Sequence, residues 1–282
     1  MKPAPFAYHR ARDLDGATRL LAELGDDAKV VAGGQSLVAM MNFRLARPRH
    51  LVDIAALREL DGVRTDAAGG LRIGALTTHH TVERDPAGRL GAGFGVLRDA
   101  MPWIGHLPIR TRGTVGGSIA HADATAEWCL LALALDAEFV VRGPRGERRI
   151  AAGDFFLGYY TTAIDFDEIL VEIVFPRPAP HAALTEFAER QGDFALVSAV
   201  VDLDVAGPSV RGGRVALGGV AAAVVRVPEA EAVLADGGSF AECAAAAADA
   251  VDPPADASGS THYRKQLVRT LVRRACEEAM AR

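Results

Sequence analysis

Lys29-Val30-Val31-Ala32-Gly33-Gly34-Gln35-Ser36-Leu37 is an apolar run that breaks at a glycine pair and resumes with helical periodicity. Strand, glycine turn, helix is the arrangement that aims backbone N–H groups and a helix N-terminus at an anion. Glycine lets those N–H groups converge and lets a ligand approach where a Cβ would collide. Farther along, Thr114-Val115-Gly116-Gly117-Ser118 repeats the device just before a second helical stretch. Two such segments in one chain point to one long anionic ligand held from two sides. Neither matches the common nucleotide fingerprints: the first lacks the third glycine of G-x-G-x-x-G, and no G-x-x-x-x-G-K-[ST] occurs. Taken singly, each pair also reads as an ordinary structural turn.

Outward from the first segment, the N-terminal unit reads β–α–β–α–β. Residues 15–24 have helical periodicity closing at Gly25, residues 29–32 form a short strand, residues 36–45 a helix ending before Pro48, and residues 51–54 another strand. A second unit starts near Leu57. It has a strand at 71–76, a helix capped by Thr77 or Thr78, a stretch from 101 to 112 that leads into the second glycine pair, and an apolar helix at 125–135. Strands follow at 138–142 and 168–175. Pro176-Arg177-Pro178-Ala179-Pro180 reads as a linker. Beyond it, 196–205 and 214–220 alternate like antiparallel strands and three helices follow. The last, 263–280, carries an apolar stripe of Leu267, Leu271, Ala275 and Met280. The expected divisions are 1–56, 57–176 and 181–282.

Composition narrows the function classes. Half of the residues are hydrophobic, 24 % are charged and the net charge is −5, so a general nucleic-acid binder with a basic face is excluded. The N-terminus lacks the apolar core of a signal peptide, and no apolar run reaches the roughly 18 residues of a membrane span. Cys129, Cys243 and Cys276 are odd in number and widely spaced, which argues against disulfides, a thiolate zinc site or a resident iron–sulfur cluster. His79-His80 has no partner motif for a metal. The chain reads as cytoplasmic, with no metal ligands and no nucleophile or base.

Several segments in order narrow the choice of ligand. The 29–37 run, then Arg110-Thr111-Arg112-Gly113-Thr114-Val115-Gly116-Gly117-Ser118-Ile119-Ala120-His121-Ala122-Asp123, then Glu168-Ile169-Leu170, resemble the flavoprotein (medium) subunit of molybdenum hydroxylases, the xanthine dehydrogenase and carbon monoxide dehydrogenase family. Gly192-Asp193-Phe194-Ala195 and Ala216-Leu217-Gly218-Gly219-Val220 are similar to its C-terminal domain. The resemblance implies an α+β fold: a two-part FAD-binding domain of the vanillyl-alcohol-oxidase type, then a C-terminal domain of antiparallel sheet plus helices.

By this resemblance the cofactor is FAD. The first segment, from Lys29, Val30, Val31 and Ala32 through Gly33, Gly34, Gln35 and Ser36 to Leu37, would hold its diphosphate, Ser36 adding a hydroxyl. Thr114, Gly116, Gly117 and Ser118 would hold the diphosphate and ribityl chain from the other side. Glu127 occupies the position of a carboxylate that accepts from the ribityl hydroxyls, and Asp123 is an alternative acceptor. Each also has a plain reading: Asp123 caps the helix starting near Thr125, and Glu127 is a favourable first-turn acid. Ile104 and Gly105 fall where the family borders the adenine, Leu170 where a strand residue packs near the flavin, and both apolar side chains also read as core. His121 is a candidate acid–base group or a plain histidine. Glu186 stands where many relatives carry a basic residue close to the flavin. A carboxylate there would disfavour the anionic reduced flavin that a cation favours, and Arg190 is the substitute cation on offer.

The division of labour implied is an FAD subunit without clusters or a molybdenum domain. An iron–sulfur small subunit with [2Fe-2S] clusters and a molybdopterin large subunit would be its partners, and NAD, oxygen or a quinone the external acceptor. The alternative is a stand-alone FAD-dependent oxidoreductase of the same fold acting on a small molecule.

Overall fold

The computed structural model describes residues 1–85 and 88–282. The chain opens with β1 (Ala7–Arg10), α1 (Leu14–Leu24), β2 (Ala28–Val31), α2 (Leu37–Asn42) and β3 (His50–Asp53). These strands form a parallel sheet in the order β1-β3-β2, with Leu51 level with both Tyr8 and Lys29. The Asp13 carboxylate caps α1 at the Gly16 N–H, and Gly25, at φ 61°, ends it. Helix α2 is shorter than the 36–45 periodicity predicts. Arg44 takes a left-handed φ of 61°, and the N–H groups of Arg44 and Leu45 return to the carbonyls of Met41 and Met40, turning the chain before Pro48.

The middle of the chain contains β4 (Val63–Thr65), β5 (Leu71–Gly74), α3 (His79–Arg84), α4 (Gly95–Ala100), α5 (Leu107–Arg110), α6 (Val115–His121) and α7 (Glu127–Ala134). Next come β6 (Glu138–Gly143), β7 (Gly146–Ala151), β8 (Phe156–Gly158), β9 (Thr161–Thr162) and β10 (Ile169–Phe175). Strands β4-β5-β10-β6-β7 make an antiparallel sheet in that order, and β8 pairs with β9. Strand β7 escaped the sequence reading because it is an edge strand exposed along most of its length, with Ile150 its one buried side chain.

After the proline stretch come β11 (Ala182–Phe187), β12 (Val197–Ala206), β13 (Ser209–Gly218) and β14 (Val225–Arg226), an antiparallel sheet in chain order. Helices α8 (Pro228–Ala235), α9 (Phe240–Asp249) and α10 (Thr261–Met280) complete the chain. The sheet has two buried faces. Ala183, Val201 and Leu217 share a core with α9 and α10, whereas Leu184, Val200 and Ala216, one residue along each strand, share the core of α7 and β10. Every residue of α7 is buried, which accounts for its apolar composition all round. That helix is the wall between the second and third sheets, and it packs on α6, which carries the second glycine pair.

Candidate functional site

Strand β2 delivers the chain into Gly33 and Gly34, the latter at φ 72°. Gln35 Nε2 donates to the Gly33 carbonyl at 3.0 Å. Ser36 stands at the N-cap of α2, but its hydroxyl makes no capping bond. Among the described residues, the N–H groups of Gly33, Gly34, Gln35 and Ser36 donate to no protein acceptor. Unpaired donors gathered at a strand end and a helix N-terminus form a cradle for an anion. The strand residues Lys29, Val30 and Val31 place this cradle, and Leu37 begins the helix behind it.

The second segment works differently. Gly116 and Gly117 lie inside the first turn of α6, not before it. Thr114 is the N-cap, its Oγ1 accepting from Gly117 N at 3.0 Å. The Val115, Gly116 and Ser118 N–H groups go to the carbonyls of Thr77, Ala75 and Thr114. Its backbone donors are therefore engaged within the protein, and the Thr114 and Ser118 hydroxyls are what it can offer a ligand. Glycine is required here for close packing: a Cβ on Gly116 would lie 2.5 Å from that of Ala75 and 2.8 Å from the Ala75 carbonyl oxygen. A Cβ on Gly33 would likewise run into the Arg112 carbonyl, with Gly113 Cα 3.0 Å away. The sequence reading assigned this steric demand to the ligand; in the structure it comes, for Gly33, from the other glycine segment and, for Gly116, from Ala75 at the end of β5.

A cleft of about 190 Å³ opens where they meet, lined by Ala32, Gly33, Ala55, Thr78, Arg112 and Thr114. A larger cleft of about 550 Å³ lies in the C-terminal unit beside Tyr159, Val220 and Pro228, away from both glycine segments. The smaller one lies at the start of the first glycine segment, with Gly33 in its lining.

Around this point the other candidate residues take distinct places. Gly105, at φ 50°, and Ile104 present carbonyls to Arg110 Nη1, at 2.9 and 3.3 Å, and Arg110 is held by Glu83 with Nε–Oε2 at 2.9 Å. A Cβ on Gly192 would meet the Gly105 carbonyl at 2.8 Å, so the Gly192 turn of the C-terminal unit rests on this loop. Leu170 is buried in the core of α7 and β10. Asp123 does not cap α7 at its N-cap, which is Ala126. Its Oδ1 instead accepts from Thr125 N and Oγ1 at 2.9 and 2.8 Å, closing the turn ahead of the helix. The His121 ring lies 5.0 Å from that of Tyr160, and burial holds its pKa below the usual value against the opposing pull of Asp123. Glu127 is buried at the first turn of α7, where desolvation pushes its pKa up to about 7.

The structure also places His79, which the sequence left without a partner. His79 is buried behind the second segment, its Nδ1 accepting from Trp128 Nε1 at 3.0 Å, while a Cβ on Gly113 would sit 2.9 Å from its ring. Burial lowers its pKa to about 4 from 6.5. The unfolded chain therefore binds the extra proton between these values, and His79 lends stability that is lost as pH falls from about 6.5 toward 4, at most about 3 kcal/mol. Melting curves at pH 7 and pH 5 should show a larger acid-induced drop for the natural chain than for His79→Gln. Equal drops would contradict a buried neutral imidazole. Glu186 and Ser198 stand level on β11 and β12, and the Glu186 carboxyl oxygens and Ser198 hydroxyl are buried without hydrogen-bond partners among the described residues. Arg190 is exposed on the turn after β11 and makes no salt bridge among the described residues.

A strand-borne anion cradle backed by a second glycine segment, with the Gly192 turn of the C-terminal unit resting on the Gly105 loop, is the arrangement of a flavoprotein of the two-segment FAD-binding class. Residues 4–178 match the family described as FAD binding domain in molybdopterin dehydrogenase, and residues 182–279 match the CO dehydrogenase flavoprotein C-terminal domain. The chain belongs to this family of FAD-binding medium subunits of molybdenum hydroxylases. It is 40 % identical to the alpha subunit of the 6-hydroxypseudooxynicotine dehydrogenase complex of Paenarthrobacter nicotinovorans, over 100 % of this chain and 97 % of that one. It is 35 % identical to the carbon monoxide dehydrogenase medium chain of Hydrogenophaga pseudoflava, over 100 % and 99 %. The structure of carbon monoxide dehydrogenase from that organism, lacking the Mo-pyranopterin moiety, superposes with a TM-score of 0.94 over 100 % of this chain and 99 % of that one. The protein is thus an FAD-dependent oxidoreductase subunit with the expected α+β architecture. No helix among the described residues is long and apolar enough to cross a membrane.

Proposed function

We propose that this chain holds FAD as the electron-transfer subunit of a molybdenum hydroxylase complex. It would receive electrons from [2Fe-2S] clusters on a small partner subunit, with substrate oxidised at a molybdopterin large subunit, and an external acceptor such as NAD, oxygen or a quinone would be served at this chain. The observation that carries the reading is the free N–H set of Gly33 to Ser36, seated against the capped, donor-saturated start of α6. It fits a diphosphate, whose oxygens accept from several converging donors at once.

In this reading Gly33, Gly34, Gln35 and Ser36 bind the diphosphate through N–H groups. The Thr114 and Ser118 hydroxyls contact it and the ribityl chain, and Glu127 accepts from ribityl hydroxyls. Ile104 and Gly105 border the adenine. FAD, when bound, supplies the redox chemistry; the residues named here bind, orient and screen it from water. The spans 1–56 and 57–176 act as the two FAD-binding parts and 181–282 as the domain that closes over them.

Expression of the chain with and without the iron–sulfur and molybdenum subunits of its own host tests this function. The expected result is yellow protein in both cases and substrate-driven reduction of an added acceptor only in the complex. Turnover of a small substrate by the isolated chain would overturn the subunit assignment in favour of a stand-alone oxidoreductase.

A further inference from the structure

Between Trp103 and α5 the chain reverses at Gly105, whose φ is 50°. A Cβ there would strike the Ile109 side chain at 2.9 Å, so space as well as φ closes the turn to larger residues. Main-chain bonds hold the two ends of this loop: Ile104 N donates to the Met101 carbonyl, and the His106 carbonyl accepts from Ile109 and Arg110. The carbonyls in its middle, those of Ile104 and Gly105, accept from no backbone group among the described residues. Both accept from Arg110 Nη1, at 3.3 and 2.9 Å. The loop is half-exposed, so its Ile104–Gly105 surface is open to a ligand.

Arg110 is itself fixed. Its Nε and Nη2 donate to the two oxygens of Glu83 at 2.9 and 3.2 Å, a two-point pairing that sets the plane of the guanidinium. The Arg110 side chain is 13 % exposed and that of Glu83 22 %, which shields the pair from the solvent that weakens surface ion pairs. Glu83 lies in the last turn of α3, and His80, one turn earlier, stands 3.4 Å from the same carboxylate. The other end of α3 is bound to the second glycine segment. His79 N donates to the Gly113 carbonyl at 3.1 Å, and Thr78 pairs with Thr114 in a single antiparallel bridge. Helix α3 therefore ties that segment to the anchor of Arg110. A pair that served only to join α3 to α5 would leave Nη1 to solvent; here it is aimed at two carbonyls of a loop. The Gly192 turn also lies against the Gly105 carbonyl, where a Cβ on Gly192 would come within 2.8 Å.

We propose that Arg110, clamped by Glu83, is a positioning residue for the adenine end of FAD and makes the chain select FAD over FMN. The proposal rests on the placement of the adenine against Ile104 and Gly105 given above. Every nitrogen of the guanidinium is engaged, Nε and Nη2 by Glu83 and Nη1 by the loop, so Arg110 acts on the cofactor through the loop. What it supplies is a surface already ordered before the ligand arrives, and ordering a loop on binding costs affinity. Without the guanidinium the two carbonyls lose their donor and the adenine loses a fixed wall. The flavin half, which FMN shares with FAD, keeps its own contacts.

The test uses the full chain stripped of FAD. FAD and FMN are titrated by flavin fluorescence, and ADP is titrated as a competitor of FAD. Arg110→Met should weaken FAD and ADP by at least about tenfold, the loss expected for charge-assisted bonds, and leave FMN within about twofold. Arg110→Lys keeps a donor without the fork and should recover part of the loss. Glu83→Gln should reproduce the pattern at smaller size, and it carries the test where the methionine variant does not fold. Equal weakening of FAD and FMN in these variants would reduce Arg110 to a general structural tie and overturn the proposal, as would unchanged FAD affinity. Ile104→Ala separates this proposal from the placement beneath it: it should weaken FAD and ADP several-fold and spare FMN. If it does so while the Arg110 variants are silent, the adenine placement stands and the role of Arg110 falls. If Ile104→Ala leaves FAD and ADP unchanged, the adenine placement falls and the role of Arg110 with it.

Discussion

Gly33→Ala is expected to leave the purified chain largely without FAD, whereas Gly34→Ala should lose only part of it. The added methyl at 33 points at the Arg112 carbonyl and at Gly113 Cα, both backbone, so no flexible side chain can yield. The two glycine segments must move apart, at a cost of about 1–3 kcal/mol for overpacking. Their separation also disperses the N–H groups of Gly33, Gly34, Gln35 and Ser36 that define the cradle. At 34 the methyl meets side chains alone, Val38 at 3.2 Å and Val31 at 3.6 Å, and the main penalty is the left-handed φ of 72°, about 1–2 kcal/mol. Gly116→Ala should behave like Gly33→Ala, since its methyl would strike Ala75. Flavin absorbance per chain after purification, with the melting temperature of each variant, measures the order. Full occupancy in Gly33→Ala would show that contact between the segments does not shape the site.

Arg264→Met should lower the melting temperature by on the order of 10 °C, a loss of about 3 kcal/mol in a chain of this size. The Arg264 guanidinium is buried and ties α10 to the sheet. Its Nη1 donates to the Leu196 carbonyl at 2.6 Å and the Gly219 carbonyl at 3.2 Å, and Nη2 pairs with Asp256 at 2.7 Å. Methionine fills much of the volume but leaves two buried carbonyls without a donor. Arg264→Lys should rescue little, because a single ammonium cannot reproduce the planar fork that spans the Leu196 and Gly219 carbonyls and the Asp256 carboxylate. Calorimetry of both variants decides this, and a lysine variant as stable as the natural chain would contradict the geometric argument.

Much of the fold was legible because local signals and tertiary demands agreed. The Asp13 cap and the Gly25 stop bracket α1 where periodicity puts it. The apolar stretch of α7 reads as helix because a helix buried on every side needs no polar face. Residues 168–175 and 196–205 show up because both faces of those strands are covered. Strand β7 was missed for the opposite reason: an edge strand carrying charge on solvent leaves no period to read. The end of α2 and the start of α6 were misplaced by a few residues. Arg44 in a left-handed turn and glycines within a first helical turn both run against local propensity and are imposed by what they pack against.

The site divides in the same way. The sequence by itself located the strand–glycine–helix segment at 29–37 and the second glycine pair at 116–117, because turn glycines and helical periodicity are local signals. It also determined the family, since the order of the segments along the chain is a property of sequence alone. Only the tertiary structure decided which donors are free, those of Gly33 to Ser36, and which are already engaged, those of Val115 to Ser118. It alone set Gly33 against Arg112, Trp128 against His79, and Gly192 against Gly105. These pairs lie far apart in the chain, and burial, which sets both the steric demand and the protonation of each group, exists only once the sheets have closed on α7.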